Sequence, residues 1–308
     1  MFTDLTGTRR YKINLHDHTT RSDGHKTPEE VMDIYARAGY DFLAITDHWV
    51  WGDAGEYTYR NADGSEGHMT ILPGAEYNVG GGDGADGVYH ILGLGCAHDP
   101  GLTVKEAEGF GRTSREQAQQ IIGRIKEAGG FAVLAHPAWS LNTVAQILPL
   151  LPLDATEIYN SVSECHMSDR PYAGLIVDQL AAGGTYLPLL ATDDSHYYDG
   201  DHCHGMIMAE ADAVDSLGLW ETLRQNRFYA TEGPEIHLER LDELTFRLRC
   251  SPAVKIAFLS NMVWTAGRMV RGENLTEATY TLKEGERYVR AEILTADGQS
   301  AWSPIIRR

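Results

Sequence analysis

Cysteine is scarce in this chain, and the four present stand far apart. Cys96, Cys165, Cys203 and Cys250 fit no zinc-ribbon or redox spacing, so they read as free thiols in a reducing compartment. No apolar run reaches the length of about eighteen residues that a membrane-spanning helix needs, so no membrane partner is expected. The opening stretch MFTDLTGTRRYKINL lacks the basic-then-apolar layout of a signal peptide, which points to the cytoplasm. Positive charge is also short, because 26 basic residues against 44 acidic ones leave a net charge of -18. That sign argues against a protein that grips long nucleic acid by its phosphates. It leaves room for a small anionic substrate, since bound metal ions can invert the charge locally. No phosphate-cradling loop or dinucleotide fingerprint occurs either. The glycine-rich GGGDGADG at 80–87 follows a strand pattern but opens no helix, and reads as a short mobile loop. The sequence is silent on oligomeric state.

What remains is the composition of a globular protein, with 308 residues, 43% of them apolar and 23% charged. That length suits one large domain, or one large and one small. YKINLHDHTT reads as a strand entering a polar turn. TPEEVMDIYARAGY then carries a Thr27–Glu30 capping box, Pro28 in the first turn, and Val31, Ile34, Tyr35 and Ala38 at helical spacing. DFLAITDH, MTILPGAEYNV and VYHILGLG are further strands. A second capped helix is expected to start at Ser114 and Gln117, with Ala118, Ile121, Ile122 and Ile125 on one face. FAVLAHPA, a helical stretch from about Leu141, ATEIYNS, a helix near 172–182 and TYLPLLATDDSH follow. This alternation predicts an α/β domain with a mainly parallel sheet, open or closed as a barrel. Beyond FYATEGPEI the segments turn short and β-rich, with the hairpin signal ADGQ at 296–299. The expected division is 1–233 for the α/β domain and 234–308 for a small all-β sandwich.

The ends of the apolar strands carry the unusual residues. His16 and His18 stand at i and i+2, which puts both rings on one side of an extended segment. His48, Glu76, His90, His136, Asp194 and His196 close later strands, and Asp23 sits in the first turn. One histidine after a strand is ordinarily structural. Successive strand ends closing on His, Asp or Glu point to one face where functional groups gather. So many imidazoles and carboxylates pooled together would be costly without cations. They read as the ligands of a multi-metal cluster.

In their order, LHDHTTRSDG, AITDH, LPGAEYN, HILGLG, LAHP and TDDSH resemble the motifs of the PHP superfamily, the polymerase and histidinol phosphatase metal-dependent phosphoesterases. The resemblance covers roughly residues 11 to 230. It implies a distorted seven-stranded (β/α) barrel, and the tail resembles that of a branch containing carbaryl-hydrolase-like enzymes. It also implies two to three divalent transition metals, manganese, iron or zinc, in a trinuclear site. His16, His18, Glu76 and Asp194 would hold one metal. Glu76 would bridge to a second, held also by His90 and His136. Asp23, His48 and His196 would hold the third. The family's Asp-x-His pattern selects Asp194 and leaves Asp193 as a partner behind it.

The implied chemistry needs no side-chain nucleophile, because a water between two metals can be acidified enough to attack phosphorus near neutral pH. Ser195 and Cys203 have no triad or thiolate spacing and read as structural. Several neighbours are weaker candidates. Arg21 could clamp a phosphate, and Asp47 could orient His48. Glu157 and Asn160 end another strand on the same face. His166, His202 and His204 could donate a proton to a leaving group, and Trp139 could line the pocket or pack beneath it. The leading expectation is a metal-dependent hydrolase of small phosphoesters, a phosphatase or a phosphodiesterase, acting on a small anionic substrate. A metal-dependent carbamate or carboxylic ester hydrolase is the alternative, and it predicts an aromatic, uncharged pocket without an arginine clamp. A non-catalytic metal or phosphate binder ranks last, since it predicts a broken ligand set.

Overall fold

The structure, a computed structural model, describes residues 1–81, 86–150, 152–211 and 216–308. Residues 82–85, the middle of the glycine-rich stretch expected to form a mobile loop, lie outside the described residues. Strands with helices between some of them run as far as Thr231. Strand Arg9–Asn14 leads to helix Pro28–Arg37 and on to strand Phe42–Ala44. Thr27 caps that helix reciprocally with Glu30, and Val31, Tyr35 and Ala36 are buried on its inner face. A hairpin of Gly55–Arg60 and Glu66–Leu72 follows; its first strand has no counterpart in the sequence reading, and the segment MTILPGAEYNV, expected as one strand, divides at Pro73 between Glu66–Leu72 and Gly74–Val79. Strands Gly74–Val79, Tyr89–Leu94, Phe131–Leu134, Ala155–Asn160 and Leu189–Thr192 come next, with helices Ser114–Glu127 and Gly174–Ala182 between them. Strand Met206–Glu210, helix Ser216–Arg224 and strand Phe228–Thr231 complete this part.

Two helix starts differ from the expected ones. The box that opens the long helix is Thr113–Glu116, one residue before Ser114–Gln117. Thr113 is extended and its hydroxyl accepts from the Glu116 amide, whereas Ser114 is already helical and buried. The stretch expected from Leu141 becomes helical only at Val144, because Leu141 adopts a left-handed backbone with φ of 56°.

Parallel ladders join Arg9–Asn14 to Phe42–Ala44, Phe131–Leu134 to Ala155–Asn160, and the latter to Leu189–Thr192. Gly74–Val79 pairs antiparallel with Tyr89–Leu94, which pairs antiparallel with Phe131–Leu134. The sheets are therefore mixed, since Gly74–Val79 and Tyr89–Leu94 meet as a hairpin with no helical crossover between them. Phe131–Leu134, Ala155–Asn160 and Leu189–Thr192 are buried at every position, as strands covered on both faces must be.

These strands fall into two sheets. A five-stranded sheet runs from Leu189–Thr192 through to Gly74–Val79, and a thirteen-stranded sheet holds Arg9–Asn14 and Phe42–Ala44. The two approach at single-residue bridges, Asp17 with Ser195 along one seam and His48 with Glu76 along the other. Both seams run through strand-end motifs.

The β-rich tail expected over 234–308 consists of strands Ile236–Arg240, Thr245–Leu259, Met269–Thr281, Tyr288–Leu294, Ser300–Trp302 and Ile306–Arg307. It continues the large sheet, because Ala230 and Thr231 pair with Trp302 and Ala301. The packing is continuous too. Met206, Met208 and Tyr229 share one apolar cluster with Ile236, Phe246 and Ile293. Arg290 of the tail is wholly buried and pairs with Asp178 of helix Gly174–Ala182 at 2.7 Å.

Candidate metal centre

The strand ends bring the two N-terminal histidines onto one point. Strand Arg9–Asn14 stops just before them, and the His16 and His18 Nε2 atoms lie 3.2 Å apart. Glu76 Oε2 lies 3.2 Å from His16 Nε2 and 3.0 Å from His18 Nε2, and Asp194 Oδ1 lies 3.1 Å from each. The other carboxylate oxygen of Glu76 faces His90 Nδ1 at 2.8 Å and His136 Nε2 at 3.3 Å. His48 faces two ways, with Nδ1 3.3 Å from Glu76 Oε2 and Nε2 3.7 Å from Asp23. His196 Nε2 lies 3.5 Å from Asp23, and His18 Nδ1 lies 3.7 Å from it.

Three groupings result, each close enough to share an ion. They are His16, His18, Glu76 and Asp194; then His48, Glu76 and His90; then His18, Asp23, His48 and His196. Glu76 belongs to the first two. His48 and His18 each belong to two groups, a sharing that the motif comparison did not anticipate, while His136 reaches both Glu76 and Asp194.

The donor set fits cations on an observation independent of motif. Glu76 Oε2, Asp194 Oδ1 and His48 Nδ1 are buried and have no hydrogen-bond partner. Glu157 accepts from the Thr192 hydroxyl, the His136 amide and the Asn160 amide group, so it is an acceptor and His16 Nδ1, 2.7 Å away, must donate to it. That leaves a lone pair on His16 Nε2 facing the two unpartnered carboxylate oxygens. Lone pairs gathered so closely need a positive charge between them. His196 is oriented the same way, with Nδ1 donating to the Asp194 carbonyl at 2.7 Å.

The same carboxylates also draw protons onto the rings, in competition with a cation. Burial would push His16 towards neutrality, but Asp194, Glu76 and Glu157 outweigh it and hold its pKa well above the ordinary value. Burial would raise Glu76, yet His16, His48 and His90 hold it well below the usual range. His48 drops to about 4, chiefly through burial. His196 rises to about 9, because Asp23 and Asp194 overcome its desolvation. The backbone is bent here as well. His136 and Asp194 adopt positive φ of 25° and 54°, a conformation that a non-glycine residue holds only where its surroundings impose it. Gly24 permits the turn that carries Asp23, since a Cβ there would lie 2.4 Å from the His18 carbonyl oxygen.

The weaker candidates fall in different places. Glu157 and Asn160 are buried behind the ligands, and Asn160 also donates to Asp194 Oδ2 at 3.1 Å. Asp193 lies deeper, accepting from Asn14, the Tyr35 hydroxyl and the amides of Cys203, His204 and Gly205. Asp47 accepts from the Thr19 amide and hydroxyl and from Ser22, so it staples the first turn and does not orient His48. Arg21 is exposed and lies outside the walls of the cavity above the cluster. His166 bonds the Asp199 carbonyl, and it too lies outside those walls, as do His202 and His204.

That cavity measures about 280 Å³. Its floor is Asp23, His48, Glu76, His90, His136, Asp194 and His196, and its walls add Asn78, Trp139, Val162, Ser163 and Met167. Of these only Trp139 was visible as a candidate in the sequence. Val162, Ser163 and Met167 belong to a short wide helical turn after Asn160, which no local pattern announces.

No protein-family model matches the chain. Over 120 residues it is 32% identical to a 3',5'-nucleoside bisphosphate phosphatase of Chromobacterium violaceum, an overlap of 39% of this chain and 40% of that protein. The chain thus spans two-fifths of that relative's length. In structure it aligns with a two-domain protein from Bacteroides vulgatus containing a predicted PHP-like metal-dependent phosphoesterase. That match covers 100% of this chain and 97% of the other, with a TM-score of 0.53 and 16% identity. An amidohydrolase from Chromobacterium violaceum, solved with sulfate and no metal, aligns over 70% of this chain and 96% of its own, with a TM-score of 0.44 and 20% identity. The chain thus shares the fold of the Bacteroides vulgatus protein along its length and a stretch of similar sequence with the phosphatase.

Proposed function

We propose that this chain is a metal-dependent hydrolase of small phosphoesters, a phosphatase or phosphodiesterase working in the cytoplasm. The observation that carries the reading is the meeting of three unpartnered buried atoms, on Glu76, Asp194 and His48, with imidazole lone pairs over a cavity open to small molecules. His16, His18, Glu76 and Asp194 would hold one divalent ion, and Glu76, His90 and His136 a second, with His48 beside them. Asp23, His48 and His196 would hold a third, with His18 at its edge. Divalent cations in such a set supply positive charge for phosphoryl oxygens and a water acidic enough to attack phosphorus near pH 7. The chain's own part is positional. Glu157 fixes the ring and tautomer of His16, Asn160 fixes Asp194, and Asp47 holds the turn that carries Asp23. The 32% identity to a nucleoside bisphosphate phosphatase supports a small phosphorylated substrate. We read the two sheets as one distorted seven-stranded barrel closed at the His48–Glu76 and Asp17–Ser195 seams, with 234–308 as a β-sandwich-like unit grafted on its edge.

A second reading, hydrolysis of aryl carbamates or carboxylic esters, is favoured by one feature. Among the described residues, no lysine or arginine stands in the cavity walls, and Trp139 does. Chromogenic phosphomonoesters, phosphodiesters and carboxyl esters, offered after loading with manganese, zinc or iron, separate the two. Phosphate release with at least one metal is expected, and brisk ester cleavage without any phosphate release would overturn the leading reading. Elemental analysis of Glu76→Ala should show two ions lost per chain; loss of one would remove Glu76 as a bridge.

A further inference from the structure

The cavity walls speak to the part of the substrate that leaves. Above a floor crowded with charge, the walls are neutral. Trp139 packs edge-on against two of the floor imidazoles, with ring centroids 4.9 Å from His136 and 5.6 Å from His90. It therefore stands directly beside the place where a phosphoryl group would sit. Val162 is buried, and Met167 is 41% exposed at the rim. These side chains form an apolar wall with a flat aromatic member and a flexible thioether, a pairing that suits planar apolar groups.

The polar wall groups are also fixed and uncharged. The Trp49 indole N–H donates to Asn78 Oδ1, which commits the carbonyl side of that amide and leaves the NH₂ group as its remaining hydrogen-bonding face. The Ser163 hydroxyl donates to Asn160 Oδ1 at 2.6 Å, so towards the cavity it is an acceptor. Among the described wall residues, one neutral donor, one neutral acceptor and an apolar side give a second anion no charged partner, unlike the bisphosphate that names the Chromobacterium violaceum relative. A carboxylate or second phosphate on the leaving group would lose its water without gaining a charged partner.

We infer that the site takes phosphoesters bearing one anionic group, whose alcohol portion is neutral, flat and apolar, packed against Trp139 and Met167 and hydrogen-bonded by the Asn78 amide. This rests on the phosphoester reading above and narrows it. In the reaction a bond forms from water oxygen to phosphorus and the bond from phosphorus to the leaving oxygen breaks. The electron pair stays on that oxygen, which takes up a proton from the water, and the products are the neutral alcohol and inorganic phosphate.

The test compares phenyl phosphate with its para-carboxylated counterpart, as substrates of the manganese-loaded full chain. The matching phenylphosphonates are compared as non-hydrolysable ligands by calorimetry. We expect kcat/KM and affinity to favour the uncharged ring by about tenfold or more. Met167→Arg should shrink or reverse that ratio in both measurements by giving the carboxylate a partner at the rim. Met167→Ala should raise KM for naphthyl phosphate by about threefold or more with metal content unchanged. Equal or better handling of the carboxylated compounds by the unaltered protein, in turnover and in binding, would overturn the inference while leaving the phosphoester reading intact. Cleavage of carboxyl esters with no phosphoester cleaved under any metal would overturn that reading and this inference together.

Discussion

Glu157 never touches the cavity, yet four groups depend on it. It receives the His16 ring, the His136 amide, the Thr192 hydroxyl and the Asn160 side chain. Glu157→Gln keeps the shape but presents an NH₂ group where two of those partners need an acceptor. Metal affinity, measured by competition with a chelating dye, should fall about 10- to 100-fold while the fold persists. Unchanged affinity would show that His16 is held by packing alone. Asp4, far from the centre, makes a prediction about pH. Its burial would raise its pKa, but the Arg10 guanidinium, Thr6 and the Thr8 amide together bring it down to about 2. A carboxylate lowered on folding stabilises above its unfolded pKa of roughly 4 and loses that contribution as pH falls towards 2. Asp4→Asn should therefore cost stability at pH 7, and its melting temperature should converge with that of the unaltered chain near pH 2. A constant gap across that range would show that the charge is not the cause. At this scale His16, His18, Glu76 and Asp194 were legible in the sequence because strand ends announce themselves. Asn78 and Met167 were not, since an asparagine inside a strand and a methionine at the end of a single wide helical turn carry no periodic signal. Asp47 was legible as present but misread, because its partners, Thr19 and Ser22, become neighbours only when the turn folds.

Elements explain what periodicity could and could not foretell. The helix from Pro28 was readable because its cap, first-turn proline and apolar stripe all agree. The longer helix was found with its start one residue late, since Thr113–Glu116 and Ser114–Gln117 both satisfy the same pattern and only backbone geometry separates them. Strand Gly55–Arg60 of the hairpin escaped notice because it is mostly exposed and has no buried face. The direction of Gly74–Val79 and Tyr89–Leu94 was equally hidden, as a strand's own sequence does not say which way its neighbour runs. The meeting of the two sheets makes a prediction of its own. Asp17–Ser195 and His48–Glu76 are isolated bridges, not ladders, and backbone hydrogen bonds such as Trp49 to Glu76, Gly52 to Gly74, His18 to Ser195 and Asp194 to His16 close the seams around them. Cations shared across the seams would add to that cohesion. Treatment with a chelator should speed amide hydrogen exchange at residues 16–18, 46–48, 74–76 and 193–196 and lower the melting temperature, both restored by reloading. Exchange that ignores metal would show that side-chain packing holds the seams.

Across the whole molecule, the change of character near residue 233 was visible as short strands and turn pairs, but the continuity of the sheet was not. Pairing of Ala230 with Trp302 joins positions far apart in sequence, and nothing local records it. The tail is packed, not tethered. Trp302 stacks on Tyr159, one residue from Asn160, at a centroid distance of 5.4 Å. Buried Arg290 pairs with Asp178. Ending the chain at residue 233 would strip Tyr229, Met206 and Met208 of their apolar cover and leave Asp178 without its partner. Such a chain should be poorly soluble or melt well below the full protein, by calorimetry. A truncated chain as stable as the full one would make the tail an independent lodger.

Asp23 stands apart from its fellows in being exposed at the side chain by 55%, while His16, His18 and Glu76 are sealed from solvent. With His48 and His196 it forms the more open side of the cavity floor. On the reading proposed above, filling would have a sequence to it: ions for the buried set would arrive before the one held at Asp23, and that outer ion would trade most readily with the surroundings.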